Sequence, residues 1–126
     1  MTGLKKALYA FWSQFGIPAY ADDQVPDDAK PPYCTYSVSL ASINGTTTQR
    51  AFVWCPDEKP YGNVWRTEMA DRLQQAIPVG GVMLPIDDGY IVLERNTSLF
   101  LSDWQDINDE SVLGVRCSYM IRHYHM

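Results

Sequence analysis

Residues 33–55 read YCTYSVSLASINGTTTQRAFVWC, in which two alternating segments flank an Asn-Gly pair at 44–45. In the first segment, Cys34 and every second residue after it are apolar, while Thr35 and the serines that follow it lie on the other face. This two-residue period is typical of a β-strand with one solvated face. The Asn-Gly pair favours a tight turn, after which 47–55 returns as a second strand. The sequence therefore predicts a β-hairpin.

The second strand of this hairpin, 47–55, is apolar on both faces. Phe52 and Trp54 lie on one face, and Val53 and Cys55 lie on the other. A single layer of helices covers only one face of a sheet. Either the strand is central and buried between two layers, or its second face meets another subunit, since exposed aromatic patches mark interfaces.

One helix is predicted before the hairpin in the sequence and one after it. Residues 4–15 place apolar side chains at i, i+3, i+4, i+7, i+8 and i+11, which predicts an amphipathic helix of about three turns. Gly16 and Pro18 follow where a helix ends. A second apolar stripe predicts a helix over 64–77, with Asn63 as its N-cap.

Two polar segments are predicted to be connections. Residues 17–32 hold four prolines and four aspartates, which predicts an extended, solvated loop. Residues 96–111 carry Asp103, Asp106 and Asp109, at a spacing that would place them on one face of a helix. No calcium-loop glycine follows, so a solvated acidic loop is the simpler interpretation.

Three further strands complete the fold. Residues 82–86 and 90–95 predict a hairpin in which Pro85 favours an edge position, and 112–124 predicts a long closing strand. The element order is α-β-β-α-β-β-β. The sequence therefore predicts a single α+β domain over 1–126, with two helices packed on one face of a mainly antiparallel or mixed sheet of about five strands.

The composition excludes several classes of protein. With 126 residues, 46% of them hydrophobic and 20% charged, the chain has the make-up of one globular domain and not of a disordered segment. A net charge of -5 without a basic stripe argues against direct binding to nucleic acid or to an anionic membrane. No apolar run reaches the length of a membrane span, and the N-terminus lacks the features of a signal peptide.

No motif for catalysis, a cofactor or a metal is found. Cys34, Cys55 and Cys117 are far apart and fall on apolar faces of predicted strands, which indicates free thiols in a reducing compartment. His123 and His125 lie among the last four residues, where fraying is expected. The cysteines lack the close pairs of a structural zinc site. We therefore expect a protein that is not an enzyme and holds no cofactor or metal.

Three segments are similar to a known family. Residues 15–20 read FGIPAY, residues 25–30 read VPDDAK, and residues 32–36 read PYCTY. Together they resemble the small tail-terminator or tail-completion (head–tail joining) proteins of long-tailed phages and prophages of Gram-positive bacteria, in which this region leads from the first helix into the first strand. Residues 118–124, SYMIRHY, are similar to the closing strand of that family. The element order agrees over most of the chain, and the residue-level pattern covers 15–36.

The resemblance implies a structural protein. Its subunits would form a ring, commonly a hexamer, on the end of the tail tube, where the ring stops tail polymerisation and joins tail to head. The implied partners are further copies of the chain, the major tail protein and head–tail connector proteins, with no membrane and no sequence-specific nucleic acid, although DNA would pass through the ring. The implied location is the bacterial host cytoplasm during assembly and then the head–tail joint of the virion. Alternatives are another phage neck component, such as a head-completion or connector protein, and a small ligand-binding α+β domain.

The candidate interface residues are charged, amide and aromatic side chains of the acidic connections and the first hairpin. They are Asp22, Asp23, Asp28, Asn44, Arg50, Phe52, Trp54, Asp103, Trp104, Asp106 and Asp109. Residues 20–31 and the hairpin tip at 44–48 are expected to be mobile in the free subunit and protected from hydrogen exchange in the ring, because long polar loops commonly order against a partner.

Overall fold

The computed structural model describes residues 3–30, 32–37, 46–54, 62–96, 99–105 and 113–125. Within these residues the chain is an α+β fold of two helices and a mixed sheet. The helices are α1 (Leu4–Trp12), continued by the 3-10 turn Ser13–Phe15, and α2 (Gly62–Ala76). The strands are β1 (Ala19–Ala21), β2 (Tyr33–Tyr36), β3 (Thr46–Trp54), β4 (Val82–Ile86), β5 (Gly89–Arg95), β6 (Leu101–Gln105) and β7 (Leu113–His125).

The sheet has the order β1-β2-β3-β7-β5-β4, with β6 also paired to β7. The β1–β2 pair is parallel, and every other pair is antiparallel. The expected α+β class is confirmed, but the expected count of about five strands is wrong, because β1 and β6 lie in segments interpreted as loops. The edge position predicted from Pro85 is confirmed, since β4 ends the sheet order and proline has no N–H for a second neighbour.

Strands β5 and β6 lie along the same side of β7 as one interrupted strand. Arg95 pairs with Tyr119 in β5, and Leu101 pairs with Cys117 in β6. The two pairs are two residues apart along β7 but six residues apart along the β5–β6 segment, so this segment contains four extra residues between them. Like a β-bulge, but with more residues, this insertion shifts the register between the paired strands. The polar segment 96–111 therefore contains a strand after its first few residues.

The two faces of the sheet differ. The helix-covered face packs against α1 and α2 in one core cluster. The indole of Trp12, on α1, is fully buried, with its ring centroid 5.4 Å from Tyr119 and 6.4 Å from Tyr36. Among the described residues, Tyr119 is also fully buried, as are the large aliphatic side chains Leu8, Leu73, Ile77, Ile91, Leu93 and Ile121. Neither helix packs on the opposite side of the sheet, which we call the open face.

The helix ends follow simple backbone chemistry. The prediction of a helix over 4–15 is confirmed, with the last turn tightened to 3-10 geometry. Gly16 ends it with φ of 77°, a left-handed conformation that a Cβ would strain. The prediction that Asn63 caps the second helix is wrong, because α2 already begins at Gly62. No helix in the described parts of the chain is long and apolar enough to cross a membrane.

Arg95, at the end of β5, ties the end of α2 to the sheet. Its Nε donates to the carbonyl oxygen of Ile77 at 2.7 Å, and its Nη2 donates to that of Gln74 at 2.9 Å. The guanidinium carbon lies 4.8 Å from the centroid of the Phe100 ring. The last carbonyls of a helix have no intrahelical donor and carry partial negative charge. A guanidinium stabilises them both by donating hydrogen bonds and by its positive charge. Arg95 thus links the end of α2 to the sheet, in addition to the apolar packing of Met69 and Leu73.

We predict that Arg95→Gln lowers the free energy of unfolding by about 2 kcal/mol, since two charge-assisted hydrogen bonds are lost at a helix end. Urea denaturation followed by circular dichroism measures this. Lys6→Gln, at an exposed cation on α1, is the control and should change stability by less than about 0.5 kcal/mol. Equal denaturation midpoints for the two variants would contradict the anchoring role.

Candidate functional site

The open face carries aromatic side chains across β1, β2 and β3. The ring centroids of Tyr20 and Tyr33 are 5.9 Å apart, and those of Tyr33 and Trp54 are 5.3 Å apart with their planes at 18°. Phe52 precedes Trp54 by two residues, so it points to the same side of β3. All four side chains are half-buried. We call Tyr20, Tyr33, Phe52 and Trp54 the aromatic row.

Thr35 lies beneath the aromatic row. It pairs with Tyr20 on one side and with Phe52 on the other, and its exposed fraction is 7%. The indole Nε1 of Trp54 donates to its Oγ1 at 3.4 Å. The expectation of a solvated face for this strand is wrong at Thr35, because aromatic neighbours cover it. A buried hydroxyl bonded to the indole also holds Trp54 in place on the open face.

Arginines share this face with the aromatic row. Arg50 is exposed on β3, and Arg116 on β7 donates its Nε to the hydroxyl of Ser102 at 3.1 Å. Arg122 lies further along β7, and Glu94 on β5 also points to this side. The described strand residues of the open face thus comprise three arginines and one carboxylate. In a chain of net charge -5, the described strand residues of this face therefore carry net positive charge.

Four aspartates follow β1 in two consecutive tight turns. The backbone N–H of Gln24 donates to the carbonyl of Ala21 at 2.9 Å, and that of Ala29 donates to the carbonyl of Pro26 at 3.1 Å. Each turn has two aspartates at its centre, and all four are exposed: Asp22, Asp23, Asp27 and Asp28. We call residues 22–28 the acidic double turn. The extended loop expected over 17–32 is corrected here, because β1 and two hydrogen-bonded turns form most of it.

The candidate interface residues named from the sequence fall in different places. The acidic double turn holds Asp22, Asp23 and Asp28, and the open face holds Arg50, Phe52 and Trp54. Outside the described residues lie Asn44, Asp106, Asp109 and the side chain of Trp104. The sequence-based selection missed Tyr20, Tyr33 and Arg116. The signal for Tyr20 was its alternation with two alanines, which the neighbouring prolines obscured.

Asp103 lies apart from the open face, on the same side of the sheet as Val115. It borders an open cleft of about 560 Å³ between α2 and β6. Its carboxylate is 86% exposed and lies 3.8 Å from the guanidinium of Arg66 on α2. The interpretation of Asp103 as part of a helical row or an acidic loop is wrong, because it belongs to β6. Folding places the guanidinium of Arg66 beside Asp103, whereas no basic residue lies near Asp103 in the sequence.

The described cysteines and histidine are buried in the helix-covered face. Cys34 and Cys117 are fully buried, and burial raises the pKa of the Cys34 thiol to about 12 and raises the pKa of Cys117 as well. The thiolate is the reactive form, so neither side chain is placed to act as a nucleophile. His123 is buried beside Ile91, with its Nε2 3.9 Å from the carboxylate of Asp88. Fraying was the wrong expectation for His123, because the β5 ladder holds it.

Metal ligands do not gather in the part of the chain that the structure describes. No three His, Cys, Asp or Glu side chains there form a group that could hold an ion. Cys117 and His123 share a face of β7, but Cys117 lies in the apolar core cluster and His123 lies beside Asp88. What the described residues offer instead is two surfaces of opposite charge, the open face and the acidic double turn.

We predict that stability falls as the pH rises above 9. The folded-state pKa of Cys34 is raised from 9.0 to about 12, so folding favours the protonated thiol. Its contribution is therefore complete below pH 9 and is lost as the pH rises towards 12. Melting temperatures across this interval measure the loss. Cys34→Ala should show a shallower decrease than the unmodified chain, and parallel decreases would contradict the assignment to Cys34.

We predict that replacing Asp103, Asp106 and Asp109 together by asparagine leaves the subunit folded. Asp103 is mostly exposed, and exposed ion pairs contribute less than about 1 kcal/mol. Melting curves measure the stability, with Arg66→Gln as the control that removes the other partner of the pair. A much lower melting temperature for the triple variant would show that these aspartates hold the fold together.

Compared with protein-family models, curated proteins and solved structures, the chain matches none of them. Its function is therefore inferred from its own residues and from the sequence resemblance described above.

Proposed function

We propose that the protein is a ring-forming tail terminator, which caps the end of a phage tail tube, stops its polymerisation and joins tail to head. The observation that carries this proposal is the open face of the sheet. It presents the aromatic row and Arg50 on the side away from both helices. A protein that works alone gains little from holding aromatic groups half-exposed, whereas a subunit interface buries them on assembly.

The residue types of the open face support an interface role. Tyrosine, tryptophan, phenylalanine and arginine are enriched at the centres of protein interfaces, where aromatic surface and planar guanidinium groups lose water together. Here the ordered stacking of Tyr33 on Trp54 and the bond from Trp54 to Thr35 fix the surface before any partner arrives. A fixed surface loses less entropy on association than a mobile one.

The charge and the absence of an exposed nucleophile among the described cysteines fit the same role. A subunit of net charge -5 suits a ring whose lumen lets DNA pass without retaining it, since phosphate contacts are what hold duplex DNA. The described cysteines are core residues, which supports a structural and not a catalytic protein. The proposed partners are further copies, commonly six to a ring, together with the major tail protein and head–tail connector proteins. The proposed location is the host cytoplasm and then the head–tail joint of the virion.

Two other functions remain as alternatives to the ring. The open face would equally serve a head-completion or connector protein, and gene order separates the two, because a terminator gene should lie just before that of the major tail protein. The cleft beside Arg66 favours a small ligand-binding domain instead. That cleft is broad and open, whereas ligand sites usually enclose most of the ligand.

We predict weak self-association, with monomers or weakly exchanging species at micromolar concentration and closed rings when the protein is concentrated or supplied with tail-tube ends. Light scattering across a concentration series and negative-stain electron microscopy measure this. Phe52→Ala should weaken association, because it removes half-buried aromatic surface from the open face. Tyr9→Ala, at an aromatic residue of α1 that is 55% exposed, is the matched control and should leave association unchanged.

One result would count against the ring. A stable dimer with a two-fold interface, unchanged by dilution, would contradict it, because two-fold contacts close without forming a larger ring.

A further inference from the structure

We propose that the acidic double turn of one copy docks on the open face of the next copy, with the Pro26–Ala29 turn against the aromatic row and its aspartates towards Arg50 and Arg116. This inference deepens the proposed function and rests on it in one respect, that copies of the chain associate. It assigns which two surfaces meet, which the ring proposal alone leaves open.

Charge is the first reason for pairing these two surfaces. The described strand residues of the open face include three arginines and one glutamate, and the acidic double turn exposes four aspartates within seven residues. Opposite potentials on two surfaces orient partners as they approach and exclude like-charged surfaces. The described strand residues of the open face thus carry an excess of positive charge, which is complementary to the negative charge of the acidic double turn.

Shape and rigidity are the second reason. Val25 and Pro26 stand between the two aspartate pairs, so the double turn offers apolar surface as well as charge. The ring of Pro26 fixes its own backbone dihedral φ, so this residue loses little conformational entropy when it packs against aromatic rings. The hydrogen bond from Ala29 to Pro26 fixes the second turn, so little entropy is lost when it docks.

The internal contacts of the chain select the second turn as the one that docks. Asp22 accepts a hydrogen bond from the hydroxyl of Ser37 at 3.2 Å, and its backbone N–H donates to the carbonyl of Tyr36 at 2.9 Å, so the first turn is held to the end of β2 of its own subunit. Asp27 and Asp28 lie at the exposed tip. Within the described residues, no ion pair links that tip to the arginines of its own open face. These carboxylates are therefore presented outwards, where a second copy can meet them.

The two surfaces are different patches of one subunit, so their contact is head-to-tail. Each copy then offers one unused turn and one unused face to further copies. A head-to-tail contact gives a ring where its rotation closes and a filament where it does not. If instead two copies exchange turns reciprocally, the same docking gives a two-fold dimer.

Sedimentation velocity of the full chain tests the docking. Asp27→Asn with Asp28→Asn impairs the turn, and Arg50→Gln impairs the face. Each should weaken self-association by about tenfold, because a charged contact is lost at an interface that excludes water. The matched controls are Glu68→Gln with Asp71→Asn on α2, and Lys6→Gln on α1, all at exposed positions. The controls should change association by less than about twofold.

Mixing the two docking variants gives the sharper result. The turn-impaired variant keeps an intact face, and the face-impaired variant keeps an intact turn. Their mixture should therefore form one-to-one pairs at concentrations where each variant alone is monomeric. No gain on mixing, or variants that associate like the controls, would overturn the docking. Circular dichroism of each variant verifies that it is folded.

The outcomes separate this inference from the ring itself. Rings that form undiminished in the turn and face variants would overturn the docking and leave the ring proposal standing. A two-fold dimer that both variants abolish would support the docking and contradict the ring. An unmodified chain that stays monomeric at millimolar concentration would overturn the docking.

Discussion

The antiparallel pairing of β3 with β7 is the constraint on which both faces of the protein depend. It runs over nine residues, from Thr46 opposite Arg122 to Trp54 opposite Gly114. Because successive side chains point to opposite faces, this one register sends Ala51 towards the helices and Phe52 to the open face. A slip of β3 by one residue relative to β7 would turn every side chain of β3 to the opposite face of the sheet. The core and the candidate interface are therefore two consequences of a single register.

The distribution of side-chain volume across β3 and β7 explains why the aromatic row faces outwards. Towards the helices, Ala51 of β3 lies opposite Cys117 of β7, and both are small and fully buried. The indole of Trp12, on α1, is also fully buried, and its ring centroid lies 5.4 Å from that of Tyr119, two residues along β7 from Cys117. Protein cores are packed close to the density of organic crystals, so a core that already holds these two rings has little room for further large side chains. Phe52 and Trp54 lie half-buried on the open face instead.

Local patterns predicted the elements that local chemistry determines, and missed those that depend on distant partners. The stripe of α1, the hairpin of β4 and β5 and the alternation of β7 could be predicted. The three residues of β1 form a strand because they pair in parallel with β2, and β6 forms because the chain pairs with β7 again after a register shift. Neither pairing has a signal in the local sequence. The same holds for the site: Arg50, Phe52 and Trp54 share one strand and were found together. Tyr20, Tyr33 and Arg116 reach them only through the register of neighbouring strands.

In the proposed contact, the balance between net charge and local charge would determine how two copies of the chain meet. At a net charge of -5, two copies repel each other at a distance, whichever way they face. Physiological salt screens that repulsion beyond about 8 Å, whereas charges brought together beside aromatic surface are screened far less. In the proposed contact, attraction between the acidic double turn and Arg50 therefore acts only when the orientation is right. General repulsion combined with one local attraction makes wrongly oriented contacts rare and the correctly oriented contact weak. This would suit the proposed tail terminator, whose subunits would stay dispersed until a tube end positions them.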